Sequence, residues 1–386
     1  MNRPAQRRRA APPGVGTTND RAGGAVAELS SDPVVDLVVA VHSTARPVER
    51  AVASVLAHTR TPLRVTVVCH NIDAGAIAEK LGALVDDPRV RTIEHRDGLR
   101  SPSGPFNRGL DEATAPFVSI MGSDDLLEPG AVDSWVARQR ADDADMVVTH
   151  LRHASGAYVP TPPVRPWRTR RLEGSRDRLA YRSAPLGIVR RAAFPTLRLT
   201  EGAPVGGDIA FVLSIWFSRR RISYDRTGPA YVIGADASDR VTFRPKPVAE
   251  EFTYLESLLE DSRFVGLGPR ERASYAVKFL RVQVFGAVHN RPDPAFWTPQ
   301  ERADLRAVTR QILDLAPGAE RVLSIADRRV LDAVLDLGTP VEVLFARGVA
   351  RRRFRSPAAL LTRDPSRLLA REAPLRFMVA SVLSRR

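Results

Sequence analysis

Residues 117–130 read FVSIMGSDDLLEPG, and this stretch decides the fold. Phe117, Val118, Ile120 and Met121 make an apolar run suited to a buried strand. The run breaks at Gly122-Ser123-Asp124-Asp125, and a helical pattern starts at Ala131. Two adjacent carboxylates at a strand tip repel each other and do little for stability. They become favourable when a divalent cation and a sugar hydroxyl share them, because a hard cation such as Mg²⁺ binds through one or two carboxylates plus substrate phosphates. The plainer reading is a strand-to-helix turn in which Asp124 or Asp125 caps the next helix.

Outward from this stretch, strand and helix patterns alternate. Residues 36–41 (DLVVAV) form a continuous apolar run, as expected of a strand covered on both faces. Val48, Val52, Val55 and Leu56 recur at helical spacing over residues 47–58. Strands are predicted at 65–69, 90–93 and 146–150, and helices at 74–84, 107–113 and 133–140. The alternation predicts an α/β fold with a mostly parallel sheet flanked by helices. Ligands of such sheets bind beyond the carboxyl ends of the strands. The Pro- and Arg-rich residues 158–172 read as a loop. Past Pro247, Leu255, Leu258, Leu259, Tyr275, Phe279, Val282, Leu305, Val308, Ile312 and Leu315 keep helical spacing, which places a boundary near Lys246-Pro247. The expected organisation is a disordered basic N-terminus (1–32), an α/β domain (33–246), a helical module (247–350) and a basic amphipathic tail (351–386).

Bulk properties narrow the function classes. A length of 386 residues suits about two domains, and 44% hydrophobic content is ordinary for a globular protein. Cys69 is the single cysteine, so no internal disulfide forms, which fits a reducing compartment. It reads as a packing residue, because nothing near it activates a thiolate. No run approaches the ~18 apolar residues of a membrane span. The N-terminus lacks the apolar core of a secretory signal. The expectation is a cytoplasmic protein. The net charge of +14 is concentrated at the ends, with +3 in residues 1–30 and +9 in residues 347–386, so the body is nearly balanced. No zinc spacing or aromatic-interleaved basic stripe accompanies the charge, which makes nucleic acid the weakest partner. Residues 347–386 interleave eleven Arg with Leu360, Leu361, Leu368, Leu369, Phe377, Met378, Val382 and Leu383. Such a segment suits an anionic membrane surface, or else packing on its own domain or on a second subunit in a homo-oligomer.

The order of these features resembles family-2 glycosyltransferases over residues 34–245. Residues 38–59 (VVAVHSTARPVERAVASVLAHT) look like that family's first strand–helix unit. Residues 103–132, with Asn107, Gly109 and Leu110, resemble the approach to its Asp-x-Asp-type motif, and Gly207-Asp208 looks like its Glu-Asp motif. The resemblance implies a GT-A fold and an inverting transfer of sugar from a nucleotide-diphosphate sugar, most simply a UDP-sugar, assisted by Mg²⁺ or Mn²⁺. By the same resemblance Asp208 is the catalytic base, and Asp125 a metal ligand with Asp124 near the ribose or the metal. Val41, His42 and Ser43, at the end of the first strand, line the nucleotide pocket, as do His70, Asn71, Asn107 and Arg108. Asp236 supplies a further metal ligand, with Asp239 as an alternative, and Arg240 meets the phosphates. The implied acceptor is a cell-surface glycan, a wall polymer or a lipid-linked precursor.

The chain also departs from the family pattern. Gly122 stands where the first Asp of the metal motif is usual, Gly207 where Glu is usual, and Cys69-His70-Asn71 where two Asp are usual. Those departures leave open a nucleotide-sugar-binding protein without catalysis. A sugar nucleotidyltransferase would carry a Gly-rich, Arg/Lys-bearing loop after the first strand, which His42-Ser43-Thr44-Ala45-Arg46-Pro47 does not resemble. Trp216 reads as core. Arg168, Arg170, Arg171 and Arg219–Arg221 suit either a solvated surface or a phosphate-bearing acceptor.

Overall fold

The chain contains eleven strands: β1 (Val35–Val41), β2 (Leu63–His70), β3 (Val90–His95), β4 (Phe117–Gly122), β5 (Leu126–Leu127), β6 (Met146–Thr149), β7 (Leu151–His153), β8 (Tyr158–Val159), β9 (Gly187–Arg190), β10 (Ile222–Asp225) and β11 (Tyr231–Ile233), counted among the described residues. The computed structural model describes residues 32–203, 206–234 and 246–383. All of them belong to one unit, Asp32–Arg386. The basic N-terminus expected to be disordered lies outside the described residues, apart from Asp32.

Seven strands form the main sheet in the order β10-β6-β9-β4-β1-β2-β3. The pairs β1–β2, β1–β4, β2–β3 and β6–β10 are parallel. Strand β9 runs antiparallel between β4 and β6. The expected mostly parallel sheet is therefore present, with one reversed strand inserted. A smaller sheet, β5-β11-β7-β8, starts directly after the Asp124-Asp125 pair.

Five helices pack on the sheet: α1 (Val48–Leu56), α2 (Ala74–Leu81), α3 (Ser103–Asp111), α4 (Ala131–Asp142) and α5 (Ile209–Trp216). Side chains alternate across a strand. Val35, Leu37, Val39 and Val41 of β1 join a core with α1, α2 and α4, whereas Val38 joins one with Leu110 of α3 and Phe211 of α5. Helix α3 lies close to β1 because Gly109 has no side chain; a Cβ there would sit 2.2 Å from Val38 Cγ1. Asp36 is buried within the apolar run of β1 and is hydrogen-bonded through both carboxylate oxygens. It accepts from Arg64 Nε (2.7 Å) and Nη2 (2.9 Å) and from the N–H groups of Thr114 (2.7 Å) and Ala115 (2.8 Å). This satisfies a buried carboxylate that would otherwise be costly.

Beyond Pro247 the chain is helical. It forms Thr253–Glu260, Pro269–Lys278, a π-helical stretch Phe279–Val284, Phe285–Asn290, Pro299–Leu315, Ile325–Leu335 and Val341–Arg351. Their shared core takes in Ile209 and Leu213 of α5. Helix α5 is accordingly buried on both sides, with Phe211, Val212, Ile215 and Trp216 toward the sheet. The tail packs on its own chain. Arg178 Nη2 donates to Arg371 O (2.5 Å), Ser274 Oγ to Glu372 Oε1 (3.2 Å), and the Phe377 and Tyr181 rings lie 4.8 Å apart. Phe354, Leu361, Leu369, Val379 and Val382 remain exposed.

Candidate active site

Strand β4 delivers Asp124 and Asp125 beyond the carboxyl edge of the sheet. Helix α4 starts six residues later behind Gly130, a left-handed residue that makes no side-chain cap. Neither aspartate caps it, so the turn reading fails. The two carboxylates have different surroundings. Asp125 Oδ2 accepts from Tyr231 Oη (2.6 Å), and its Oδ1 accepts from the Gly234 N–H (2.8 Å). Tyr231 Oη in turn accepts from the Gly122 N–H (3.1 Å). Burial and the Asp125 charge push the Tyr231 phenol well up, so it stays a donor. Asp125 thus ties the end of β4 to β11. Asp124 Oδ2 pairs with Arg46 Nη1 at 3.0 Å. Arg46 comes from the loop between β1 and α1 and is buried. A side chain at Gly122 would begin 2.6 Å from Asp125 Oδ2, which accounts for the missing third carboxylate.

At the ends of β2 and β3 lies a second polar cluster. His70 Nε2 meets Asp97 Oδ1 at 2.8 Å, and His95 Nε2 meets Asp97 Oδ2 at 3.1 Å. Asn71, in the left-handed region at φ 54°, donates to Leu99 O (3.0 Å). It accepts from the N–H groups of Asp97 (3.1 Å) and Gly98 (3.0 Å). Burial alone would raise the Asp97 carboxyl, but bonds from His70, the Leu99 N–H and Asn71 hold it well below the usual carboxylate range. The amino end of α3 fits against this cluster: a Cβ at Gly104 would lie 2.5 Å from Asp97 Oδ2.

The other expected nucleotide residues are placed as follows. Val41 is a core side chain, while His42 is exposed and Ser43 half-buried. Asn107 is buried and joined to protein, donating to Leu199 O (3.0 Å) and Glu201 Oε1 (2.8 Å) and accepting from the Leu199 N–H (2.9 Å). It pins the segment leading to Asp208. Arg108 faces solvent and pairs with Glu112 at 2.8 Å. Asp73, near the expected base site, caps α2 through the Ala76 N–H (3.2 Å). Asp236, Asp239 and Arg240 lie outside the described residues. Among those described, no group of three or more His, Cys, Asp or Glu could hold a metal ion. Cys69 is buried, and burial pushes its thiol up to about 11, so it is inert packing. Trp216 is core, with Nε1 donating to Arg182 O (3.0 Å).

Asp208 stands at the start of α5 with φ −83° and ψ −12°, yet its side chain makes no capping hydrogen bond. Among the described residues it has no ion pair within the salt-bridge range. Burial raises its carboxyl above the ordinary range, and the Lys278 charge opposes that rise. Its loop is tightly seated: a Cβ at Gly207 would lie 2.3 Å from Ser103 Oγ, and one at Gly206 would lie 2.8 Å from the Tyr254 ring. The space a Glu at 207 would need is thus filled by Ser103 of α3. Four residues of this constellation were not singled out from sequence: Arg46, Asp97, Tyr231 and Lys278. Lys278 alone carried a signal, as one of three lysines in an Arg-dominated chain.

Residues 36–197 match the Glycosyl transferase family 2 model. Asp208 and the helical module lie beyond that match. Over 120 residues the chain is 34% identical to the succinoglycan biosynthesis protein ExoO of Rhizobium meliloti, covering 31% of this chain and 33% of that protein. The match therefore spans about a third of the relative's length. Among solved structures, S. aureus TarS 1-349 superposes with a TM-score of 0.63 at 14% identity, covering 83% of this chain and 92% of that one. The same TarS fragment in complex with UDP-GlcNAc gives 0.64 at 15% identity, over 83% and 91%. At such identities the shared property is the fold.

Proposed function

From the match of residues 36–197 to the Glycosyl transferase family 2 model, we propose that this chain transfers a sugar from a nucleotide-diphosphate sugar to a hydroxyl of a cell-surface glycan, wall polymer or lipid-linked acceptor, with inversion. The observation that carries the reading is Asp208: a half-buried carboxylate at a helix start that caps nothing and whose affinity for a proton is raised. A structural cap would be hydrogen-bonded. A general base must instead keep a lone pair for the acceptor and be poised near the working pH.

In the proposed reaction Asp208 takes the proton from the acceptor hydroxyl. The acceptor oxygen forms its bond to the anomeric carbon as the bond from that carbon to the diphosphate breaks on the opposite face. A UDP-sugar is the proposed donor, supported by the TarS complex with UDP-GlcNAc. The base would lie against the His70–Asn71–Asp97 cluster, where His42 and Ser43 of the neighbouring strand also end. Asp124 would hold a divalent cation, Mg²⁺ or Mn²⁺, together with the diphosphate oxygens, since Mg²⁺ needs only one or two carboxylates when phosphates complete its shell. Such a cation would neutralise charge on the leaving diphosphate. Asp125, whose two oxygens are engaged by Tyr231 and Gly234, would position Asp124.

The test is Asp208→Asn. Loss of a positioned base should lower kcat by about 10²–10⁴-fold. UDP-GlcNAc affinity, followed by thermal stabilisation with Mn²⁺ present, should stay within a few-fold of the parent. Turnover close to the parent's would end the assignment of Asp208 as base.

A further inference from the structure

Lys278 is 2% exposed, at the last turn of the helix Pro269–Lys278 and immediately before the π-helical stretch Phe279–Val284. A buried ammonium normally sits in an ion pair, because burying an unpaired charge is costly. Among the described residues this one has no carboxylate within salt-bridge range. Its amine lies 5.1 Å from the centre of the Phe279 ring. Phe279 is flanked by Tyr275 at 5.5 Å and Tyr254 at 6.4 Å, and Tyr254 is the ring against which the Gly206–Asp208 loop is seated. The same aromatic layer thus packs against Lys278 and against the loop that carries Asp208. Turns of π-helix often accompany functional positions within helices.

We propose that Lys278, delivered by the helical module, is the positioning charge for Asp208: its ammonium keeps the neighbouring side chain a carboxylate, so that the module completes the transfer centre. This inference rests on the assignment of Asp208 as base. Burial pushes the Lys278 amine down to about 8, and Asp208 is the acid that opposes the shift. Tyr275, on the same helix, and Tyr254, from Thr253–Glu260, are raised by burial, with the Asp208 charge adding to the rise, so both stay neutral. The other charges of the neighbouring elements have partners of their own: Glu251 pairs with Arg291, and Glu372 accepts from Ser274 among Arg178, Arg281 and Arg371.

The chain has three lysines, Lys80, Lys246 and Lys278, so carbon NMR of protein labelled at lysine Cε shows three amines that can be titrated separately. In Asp208→Asn the Lys278 midpoint should fall by about one pH unit, the usual scale for losing a nearby opposite charge. An unchanged midpoint overturns the inference. The reciprocal measurement uses Lys278→Met and Lys278→Gln, either of which suffices if the other does not fold. In these variants the Asp208 carboxyl, followed by aspartate labelling, should titrate higher by a similar amount, and Lys278→Arg should restore it. If Asp208→Asn abolishes transfer while the lysine titration stays put, the inference alone falls. If Asp208→Asn keeps transfer, the assignment of the base falls whatever the lysine does.

Discussion

Asp97 gathers two histidines, an asparagine and a backbone N–H around one half-buried carboxylate, and its energetics can be read out by pH. Its folded carboxyl titrates below the ordinary value of 3.8. A depressed acid stabilises the fold fully above the unfolded pKa and loses that contribution as pH falls through the folded one. Asp97→Asn should therefore lower stability by about 2 kcal/mol near neutrality, the scale of hydrogen bonds to a charged group. The deficit should shrink as pH drops below about 4, which urea unfolding at a series of pH values will show; a pH-independent deficit would mean that shape alone matters there. At this scale the sequence was partly legible. Gly122-Ser123-Asp124-Asp125 stands out because adjacent acids at a strand tip need a reason. Which acid ties the fold together was hidden, because the answer depends on Tyr231 and Gly234, more than a hundred residues away. Asn107 was misplaced for the same cause: the carbonyl and N–H it binds belong to Leu199.

Helix α3 was located but begun too late, at 107 rather than at Ser103. Pro105 reads as a helix breaker, yet in the first turn its missing N–H has no partner to lose. What α3 does is set by Gly109, whose bare Cα lets the helix lie against Val38 and aim Ser103 at Gly207. Gly109→Ala should overpack this contact and cost about 1–3 kcal/mol. Val38→Ala should recover part of that loss, a coupling that a double-mutant cycle in urea will measure. Independent, additive losses would place the strain elsewhere. The long strands β1, β2 and β4 were readable because both of their faces are apolar. Strand β9 was not, since its four residues reverse between β4 and β6 and it reaches β6 only because Gly187 clears Val147 O.

Across the whole molecule, charge and packing lead to different expectations for the last third of the chain. Residues 347–386 carry +9, yet Glu372, Ala373 and Ala380 are buried. Removing the tail would uncover core, so its affinity for anionic lipid is better tested by charge. Arg352, Arg353 and Arg355 are exposed beside the exposed Phe354. Replacing all three arginines with Gln should weaken sedimentation with phosphatidylserine vesicles, at about 1 kcal/mol per basic residue near the surface, and the parent's binding should fade with added salt. Equal, salt-independent sedimentation of both forms would end the expectation that the basic tail binds an anionic surface. No helix among the described residues is long and apolar enough to cross a bilayer. The shared burial of α5 also bears on how such chains can be recombined. Pro247 looks like a natural seam, but a chimera joined there would pair one parent's Ile209 and Leu213 with the other parent's Leu255 and Tyr275. A workable crossover lies upstream of α5, so that Asp208 travels with the helices that surround it. Exchange of modules between relatives would then carry Asp208 and Lys278 as one heritable block, leaving Asp124 and Asp125 behind.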